Sequence, residues 1–330
     1  MQPQTNLTIM SEEIAVQVCQ VARFCGRYVT WTQGAGGNVS FILQDTLWVK
    51  RSGLRLRDMQ SVSDFVALPR ASVQELLFSP NADAQLAQMA PAASVESFFH
   101  ALLGPITVHT HLVGSWIVAD PHVRFDISQL SSSLGVWVAR VPYAAPGAAL
   151  GRAVATVLPS YVPESGVVLL QNHGVVVWGQ DVDSVFSLLK HLHTDICRHL
   201  GIHGEPIFPF VAIEPFSPAG TTLRVHPEYA GLCHDALSYP LTPDAALHMG
   251  LGPNAVGHDM PALGRLTWQQ ETEIRYVCAS KEVLENAVEI FAAQCIAWFW
   301  ARQNLSHLSQ DDVQALLRWG AGKYGGVLNR

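Results

Sequence analysis

The sequence predicts a mixed α/β fold over residues 1–204, followed by a mainly helical extension over residues 205–330. Three observations carry that expectation. Apolar runs of strand length, Val136 to Val141 and Val167 to Leu170, each follow a glycine, and Val175 to Trp178 reads as a continuation of the last. Longer stretches with helical period lie among them. Beyond a Pro- and Gly-rich segment, 201–222, the pattern turns to long apolar helices, above all Lys281 to Gln303.

In chain order, Glu12 to Tyr28 sets Ile14, Val18, Val21, Ala22 and Cys25 on one helical stripe, with Gly26 as its stop. Phe41 to Val49 reads as a hairpin turning at Gln44 and Asp45. Ser94 is the expected N-cap of a helix from Val95 to Leu103, which Gly104-Pro105 ends. Ile106 to Val108 is then a short strand. Asp181 to Leu200 reads as a helix capped by Asp181 or Asp183 and closed by Gly201. The 201–222 segment is expected to be a linker or a wrapping loop, with mixed structure from there to about Gly264. A last helix starts near Ser309, where Ser309 and Asp312 form a variant capping box, and reaches Trp319. Neither an internal repeat nor a low-complexity tract is present.

Composition narrows the function classes. With 330 residues, 49% of them apolar and 14% charged, much of the chain must be interior or subunit interface. A net charge of −7, with no basic stripe, argues against nucleic-acid binding. Ala287 to Trp300 is apolar but too short to cross a bilayer and is broken by Glu289 and Gln294. Val167 to Trp178 is interrupted by Gln171, Asn172 and His173, so neither segment is a membrane span. Met1 to Met10 lacks the basic-then-apolar pattern of a secretory signal. The six cysteines (Cys19, Cys25, Cys197, Cys233, Cys278 and Cys295) are scattered without a C-x-x-C, as reduced thiols of a cytoplasmic protein would be.

The chemistry concentrates in Val108-His109-Thr110-His111. Side chains of a strand alternate faces, so His109 and His111 project to the same side, one pleat apart. Two imidazoles held that way are half of a metal site. A third would complete the three-His set that leaves a catalytic ion with open positions. His173, which ends the run Val167-Val168-Leu169-Leu170-Gln171-Asn172, is the best candidate. Glu96 starts the helix that leads into this strand, so its carboxylate can point at the ion and serve as general base; the alternative is a solvent-facing acid favoured by the helix dipole. His100 shares its helix face and is expected to pack or to support from behind. Gly34-Ala35-Gly36-Gly37-Asn38-Val39-Ser40 can present backbone N–H groups and the Asn38 amide to an anion, or can simply be a turn. Its glycines lack the G-K-[ST] of a P-loop and precede a strand, which excludes a nucleotide fingerprint. Ser52-Gly53, with Lys50 and Arg51 beside it, is a similar signal.

The order Gly36-Gly37-Asn38-Val39-Ser40, Lys50-x-Ser52-Gly53, Ser94-Val95-Glu96, His109-Thr110-His111 and Asn172-His173-Gly174 resembles the class II (metal-dependent) aldolase/adducin family. Fuculose-phosphate and rhamnulose-phosphate aldolases are members. The resemblance covers roughly residues 10–200. The tail, with Leu241-Thr242-Pro243-Asp244 and Trp319-x-x-x-Lys323-Tyr324, is similar to the aldolase half of sugar aldolase/dehydrogenase fusions. What the resemblance implies is a three-layer α/β/α domain around a mostly antiparallel sheet, assembled as a homotetramer with the metal near a subunit boundary.

By the same resemblance His109, His111 and His173 are the metal ligands and Glu96 is the catalytic acid/base. Asn38, Ser52, Gly53 and Ser94 lie at the anionic end of the substrate. Tyr143, in Val141-Pro142-Tyr143, is a candidate proton donor or else a packed loop aromatic. One divalent ion per subunit is implied, Zn²⁺ first and Mn²⁺ or Co²⁺ otherwise, with no organic cofactor. The implied reaction is cleavage of a C–C bond in a small sugar, sugar acid or sugar phosphate through a metal-stabilised enediolate. Epimerisation or decarboxylation at the same site, a non-catalytic adducin-like binding role and a metal-dependent hydrolase are the alternatives. Val95 stands where sugar-phosphate aldolases carry a second serine, which removes one donor to a phosphate.

Overall fold

Residues 3–249, 263–270, 272–302 and 305–328 are described by a computed structural model of the chain. They form two compact units, one of residues Met1–Ala119 and Arg124–Cys197, the other of Asp120–Val123 and Arg198–Arg330.

The first unit is organised on seven strands: β1 (Asn38–Leu43), β2 (Thr46–Lys50), β3 (Phe65–Pro69), β4 (Ile106–Thr110), β5 (Trp137–Val141), β6 (Gly166–Leu170) and β7 (Gly174–Gly179). Their order in the sheet is β3-β2-β1-β4-β7-β6-β5. Every pair is antiparallel except β5 with β6, which is parallel. The sheet is thus mostly antiparallel, as expected. The hairpin of β1 and β2 turns at Gln44 and Asp45, whose φ angles of 48° and 61° give the backbone twist that a two-residue hairpin loop requires.

Helices α1 (Pro3–Cys25), α2 (Arg70–Leu77), α3 (Ala82–Met89), α4 (Ser97–Leu102), α5 (Val113–Ala119), α6 (Ile127–Leu134), α7 (Ala148–Val157) and α8 (Val182–Leu200) flank this sheet. Side-chain alternation sorts them. Val168, Leu170, Val176 and Trp178 point to one face, where Phe99 of α4 and Leu150 and Val154 of α7 bury them. Val167, Leu169, Val175 and Val177 are equally buried on the other face, and α5 packs on β6 and β7. The result is the expected layering of helix, sheet and helix.

Several boundaries differ from the sequence reading. The first helix starts at Pro3 rather than Glu12 and ends at Cys25, just before the Gly26 stop. Ser94 is not the N-cap of α4. That helix starts at Ser97 with Glu96 at the cap position, because the Ser94 hydroxyl accepts the N–H of Glu96 and its carbonyl accepts the N–H of Ser97, closing a separate turn before the helix. Strand β3 and helices α2, α3, α5, α6 and α7 were not expected; each is short, and short segments show too little periodicity to stand out in the sequence.

The second unit carries the expected helices and also a sheet. Its elements are β8 (Phe210–Ile213), β9 (Thr221–Val225), α9 (Ala230–Ala236), α10 (Pro243–Met249), β10 (Gly264–Gln270), β11 (Glu273–Cys278), α11 (Lys281–Ala301) and α12 (Gln310–Leu328). The strands form a four-stranded antiparallel sheet in the order β10-β11-β9-β8. Strand β8 and the first two residues of β9 fall inside the expected linker 201–222. Leu223 and Val225 alternate with polar neighbours and are buried, but the flanking prolines and glycines mask that short alternation. Helix α11 ends at Ala301, where Arg302 turns left-handed, and Gln303 lies outside the described residues. Asp312 N–H bonds the Ser309 hydroxyl as the capping pattern predicts, but α12 continues to Leu328. The side chains of Lys323 and Tyr324 lie outside the described residues; Leu241 N–H donates to Gln294 of α11, and Thr242 supports the first turn of α10. All six cysteines are free thiols, and among the described residues no helix is long and apolar enough to cross a membrane.

Candidate metal centre

Strand β4 has a β1 neighbour on one side and a β7 neighbour on the other, so its C-terminal end is fixed from both flanks. His109 lies in this ladder opposite Val176 and opposite Asn38, and residues directly paired in antiparallel strands share a face. His111 follows two residues on, just beyond the strand. His173 comes from the three-residue loop Gln171-Asn172-His173 that joins β6 to β7, where Asn172 takes a left-handed φ of 54° and His173 N–H bonds the Leu170 carbonyl. At Gly174 the loop re-enters the sheet. A Cβ there would lie 2.3 Å from the Thr110 carbonyl oxygen, so only glycine lets β7 approach β4 between the two histidines of the H-x-H pair.

This packing gathers His109, His111 and His173 into a near-equilateral triangle. Ring centroids are 5.0 Å apart for His109–His111, 5.0 Å for His109–His173 and 5.1 Å for His111–His173. One ligand atom from each lies within 4.8 Å of the others, and all three residues are buried. The donor set suits a divalent ion. His109 Nδ1 lies 3.0 Å from the Val175 carbonyl, which only accepts; the ring proton is therefore on Nδ1, and the Nε2 lone pair, which makes no hydrogen bond, is turned toward the cluster. The backbones of the other two are held from behind. The Gln33 amide donates to the His111 carbonyl at 3.2 Å, and Trp116 Nε1 donates to the His173 carbonyl at 2.9 Å.

Glu96 completes the cluster. Its Oε1 is 3.1 Å from His173 Nε2 and 3.6 Å from His109 Nε2. It is buried rather than solvent-facing, at 8% exposure. Burial would raise its carboxyl, but the neighbouring imidazoles of His109, His173 and His111 and a hydrogen bond from His173 outweigh that and hold it well below the usual carboxylate range. Burial in turn pushes the His109 imidazole well below its ordinary value, against the opposing pull of Glu96, so the ring is held neutral, the form that binds a metal. His100 packs as expected: it is wholly buried, and its Nδ1 is 2.7 Å from the Ser40 hydroxyl.

The structure places each of the residues expected at an anionic subsite. Asn38 and Ser94 sit on Glu96 itself. Asn38 Nδ2 donates to Glu96 Oε2 at 2.9 Å and to Ser94 Oγ at 2.7 Å. Ser52 and Gly53 follow β2 and are bound to the segment that precedes Ser94, through Ser52 N–H to the Ala92 carbonyl and a bridge between Arg51 and Ala93. The Lys50 ammonium is buried and donates to the carbonyls of Ala35 and Leu54. Tyr143 is half-buried, and its N–H bonds the Gln171 side chain at 3.4 Å, tying it to the loop that carries His173. Gln33 and Trp116 escaped the sequence reading. Gln33 borders the glycine run, which was a usable hint, but Trp116 is 57 residues from the carbonyl it holds and left no local signal.

The first unit is similar in sequence to proteins of one known family. The model of the Class II Aldolase and Adducin N-terminal domain matches residues 16–199, more than half of the chain. A methylthioribulose-1-phosphate dehydratase of Exiguobacterium sp. is 26% identical over 164 residues, covering 46% of this chain and 76% of that protein. The enzyme of the same name from Geobacillus thermodenitrificans is 26% identical over 176 residues, covering 49% and 78%. Among solved structures, the N-terminal class II aldolase domain of a conserved protein from Thermoplasma acidophilum superposes with a TM-score of 0.47 at 18% identity, over 56% of this chain and 92% of that one. The chain therefore belongs to the class II aldolase and adducin family.

Proposed function

We propose that this protein is a divalent-metal lyase that opens a bond next to a carbonyl in a small carbohydrate-like substrate, with His109, His111 and His173 as the metal ligands and Glu96 as the proton carrier. The observation that carries the reading is the buried triangle of three imidazoles with a carboxylate oxygen against two of them. A divalent ion held there would polarise a substrate carbonyl oxygen and make the neighbouring C–H or C–C bond easier to break. Glu96 is the ionised group beside the cluster, so it accepts the proton on one arm of the reaction and returns it on the other. Trp116 and Gln33 keep the ligand loops in place, and the burial of the cluster excludes competing water.

Two bond types fit. Retro-aldol cleavage of a C–C bond is the first reading, on a sugar, sugar acid or sugar phosphate; epimerisation and decarboxylation use the same arrangement. Elimination of water is the second, favoured by the two curated dehydratase relatives. Both need a proton moved next to a polarised carbonyl. Zn²⁺ is the proposed ion because three imidazoles suit it, with Mn²⁺ or Co²⁺ as substitutes and no organic cofactor. A homotetramer in the cytoplasm is the proposed setting, consistent with the free thiols and the low charged fraction. Asn38, Ser52, Gly53 and Ser94 are proposed to lie at the anionic end of the substrate, and Tyr143 to be a candidate proton donor.

Elemental mass spectrometry of the purified protein and of His111→Ala tests the reading. About one ion per subunit in the wild type, lost in the variant, is the expected result. Full occupancy in the variant removes His111 as a ligand, and a wild type that takes up no Zn²⁺, Mn²⁺ or Co²⁺ overturns the lyase reading in favour of a binding role.

A further inference from the structure

We propose that Cys233 and Cys295 are a dithiol that hydrogen peroxide converts to a disulfide, stapling α9 to α11 within the second unit. The two sulfurs lie 2.9 Å apart and both side chains are wholly buried. Helix register builds this contact. Cys233 lies one turn after Tyr229, and Cys295 one turn before Phe299. The rings of Tyr229 and Phe299 are 5.1 Å apart, so the aromatic pair meets in the same antiparallel register as the sulfurs. Farther along, the Gln294 amide donates to the Ala236 carbonyl at 2.9 Å, and its oxygen accepts the Leu241 N–H at 2.6 Å. Contacts on both sides thus hold the thiols opposite each other. A disulfide bond is about 2.05 Å long, so closing it asks for a small shift of the sulfurs rather than repacking of the helices. Two small apolar side chains would fill the same space; the sulfurs add the capacity to bond.

The pair is protected until the helices open locally. The reacting form is the thiolate. Burial, with the Cys233 sulfur alongside, pushes the Cys295 thiol well above its ordinary value, so the closed structure keeps it protonated. Tyr229 helps to set the cost of opening. It is 1% exposed, and its hydroxyl donates to the Ile207 carbonyl at 2.9 Å, tying the start of α9 to the segment before β8. Once water and oxidant reach the sulfurs, one thiolate attacks a peroxide oxygen. The O–O bond breaks, leaving a sulfenic acid and a hydroxide that takes up a proton. The second thiol attacks the sulfenic sulfur, the S–S bond forms and water leaves. Two thiols thereby lose two electrons and two protons to one hydrogen peroxide, which becomes two waters.

Peptide mass spectrometry of the full-length protein tests this. The folded protein is treated with an excess of hydrogen peroxide, its remaining thiols are blocked, and it is digested without reduction. Peptides joined through Cys233 and Cys295, and separated again by dithiothreitol, are the expected result. The thermal midpoint of the oxidised wild type should rise on the order of 5 °C, and that of Cys233→Ala or Cys295→Ala treated in the same way should not. Sulfurs left as thiols, or carried to sulfinic acids without linkage, overturn the staple. Linkage that appears only in urea overturns it too, because the folded helices would then not present the thiols to each other. Tyr229→Phe keeps the ring and removes the bond to Ile207, so linkage in this variant should be faster on the order of fivefold. An unchanged rate overturns the part given to Tyr229. These readouts are taken on the wild type or far from the metal centre in sequence, so failure of the staple leaves the lyase reading untouched.

Discussion

Nε2 of His173 lies 3.1 Å from Oε1 of Glu96, closer than the 3.6 Å separating that oxygen from His109. The histidine comes from a loop between two strands, the glutamate from the N-cap of a short helix on one face of the same sheet. Replacing the glutamate by glutamine keeps the shape and removes the charge. Glu96→Gln should therefore retain its metal by elemental analysis while turnover of whichever sugar substrate a panel identifies falls by about 10²- to 10⁴-fold. Near-normal kinetics would exclude Glu96 as the proton carrier.

Trp116 holds the His173 carbonyl through its indole N–H while the rest of the ring fills buried space. Trp116→Phe leaves that carbonyl without its donor, which costs about 1 kcal/mol of stability. The larger effect should be on the ion, since groups that orient a ligand typically change metal affinity by roughly tenfold or more. Competition with a chromophoric chelator measures it. Unchanged affinity would show that the loop keeps its position without Trp116.

Gly174 has no room for a side chain, because a Cβ would meet the Thr110 carbonyl at 2.3 Å. Backbone cannot retreat here without opening the β4–β7 ladder. Gly174→Ala is expected to lose on the order of 2–3 kcal/mol, read as a lowered thermal midpoint, together with part of its metal. A variant as stable as the wild type would mean that the strands separate at this point at no cost.

His100 connects the core to pH. Burial lowers its imidazole to about 3, with Glu96 raising it and Lys50 lowering it further. In the unfolded chain it titrates near its ordinary 6.5. Between those values the unfolded state binds the extra proton, so stability is present above about 6.5 and declines as pH falls toward 3. One such group contributes a slope of up to about 1.4 kcal/mol per pH unit. Urea unfolding at several pH values should show a shallower slope for His100→Gln than for the wild type, and identical slopes would contradict the assignment.

Local patterns made a good part of the molecule legible in advance. The two-residue pitch of a strand put His109 and His111 on one side, the positive φ preference of a short turn marked the β1–β2 hairpin at Gln44 and Asp45, and Gly26 and Gly201 marked helix ends. Motif order pointed to the family that the comparison established. These features depend on residues close in the chain, where sterics and periodicity act without knowledge of the fold.

The tertiary structure decided the rest, because the deciding contacts join residues far apart in sequence. Asn38 and Glu96 are 58 residues apart, and only the pairing of β1 with β4 shows that the amide meets the carboxylate. Ser94 has the sequence position of a helix cap, but its hydroxyl is occupied by Asn38 and the Glu96 N–H. Strands β8 and β9 lay hidden among prolines because two short strands reveal themselves only through the partners that bury Leu223 and Val225. Sequence named the imidazoles and the carboxylate; packing across the sheet set which atoms of each face one another, since a hydrogen bond's direction depends on where its partner stands in space.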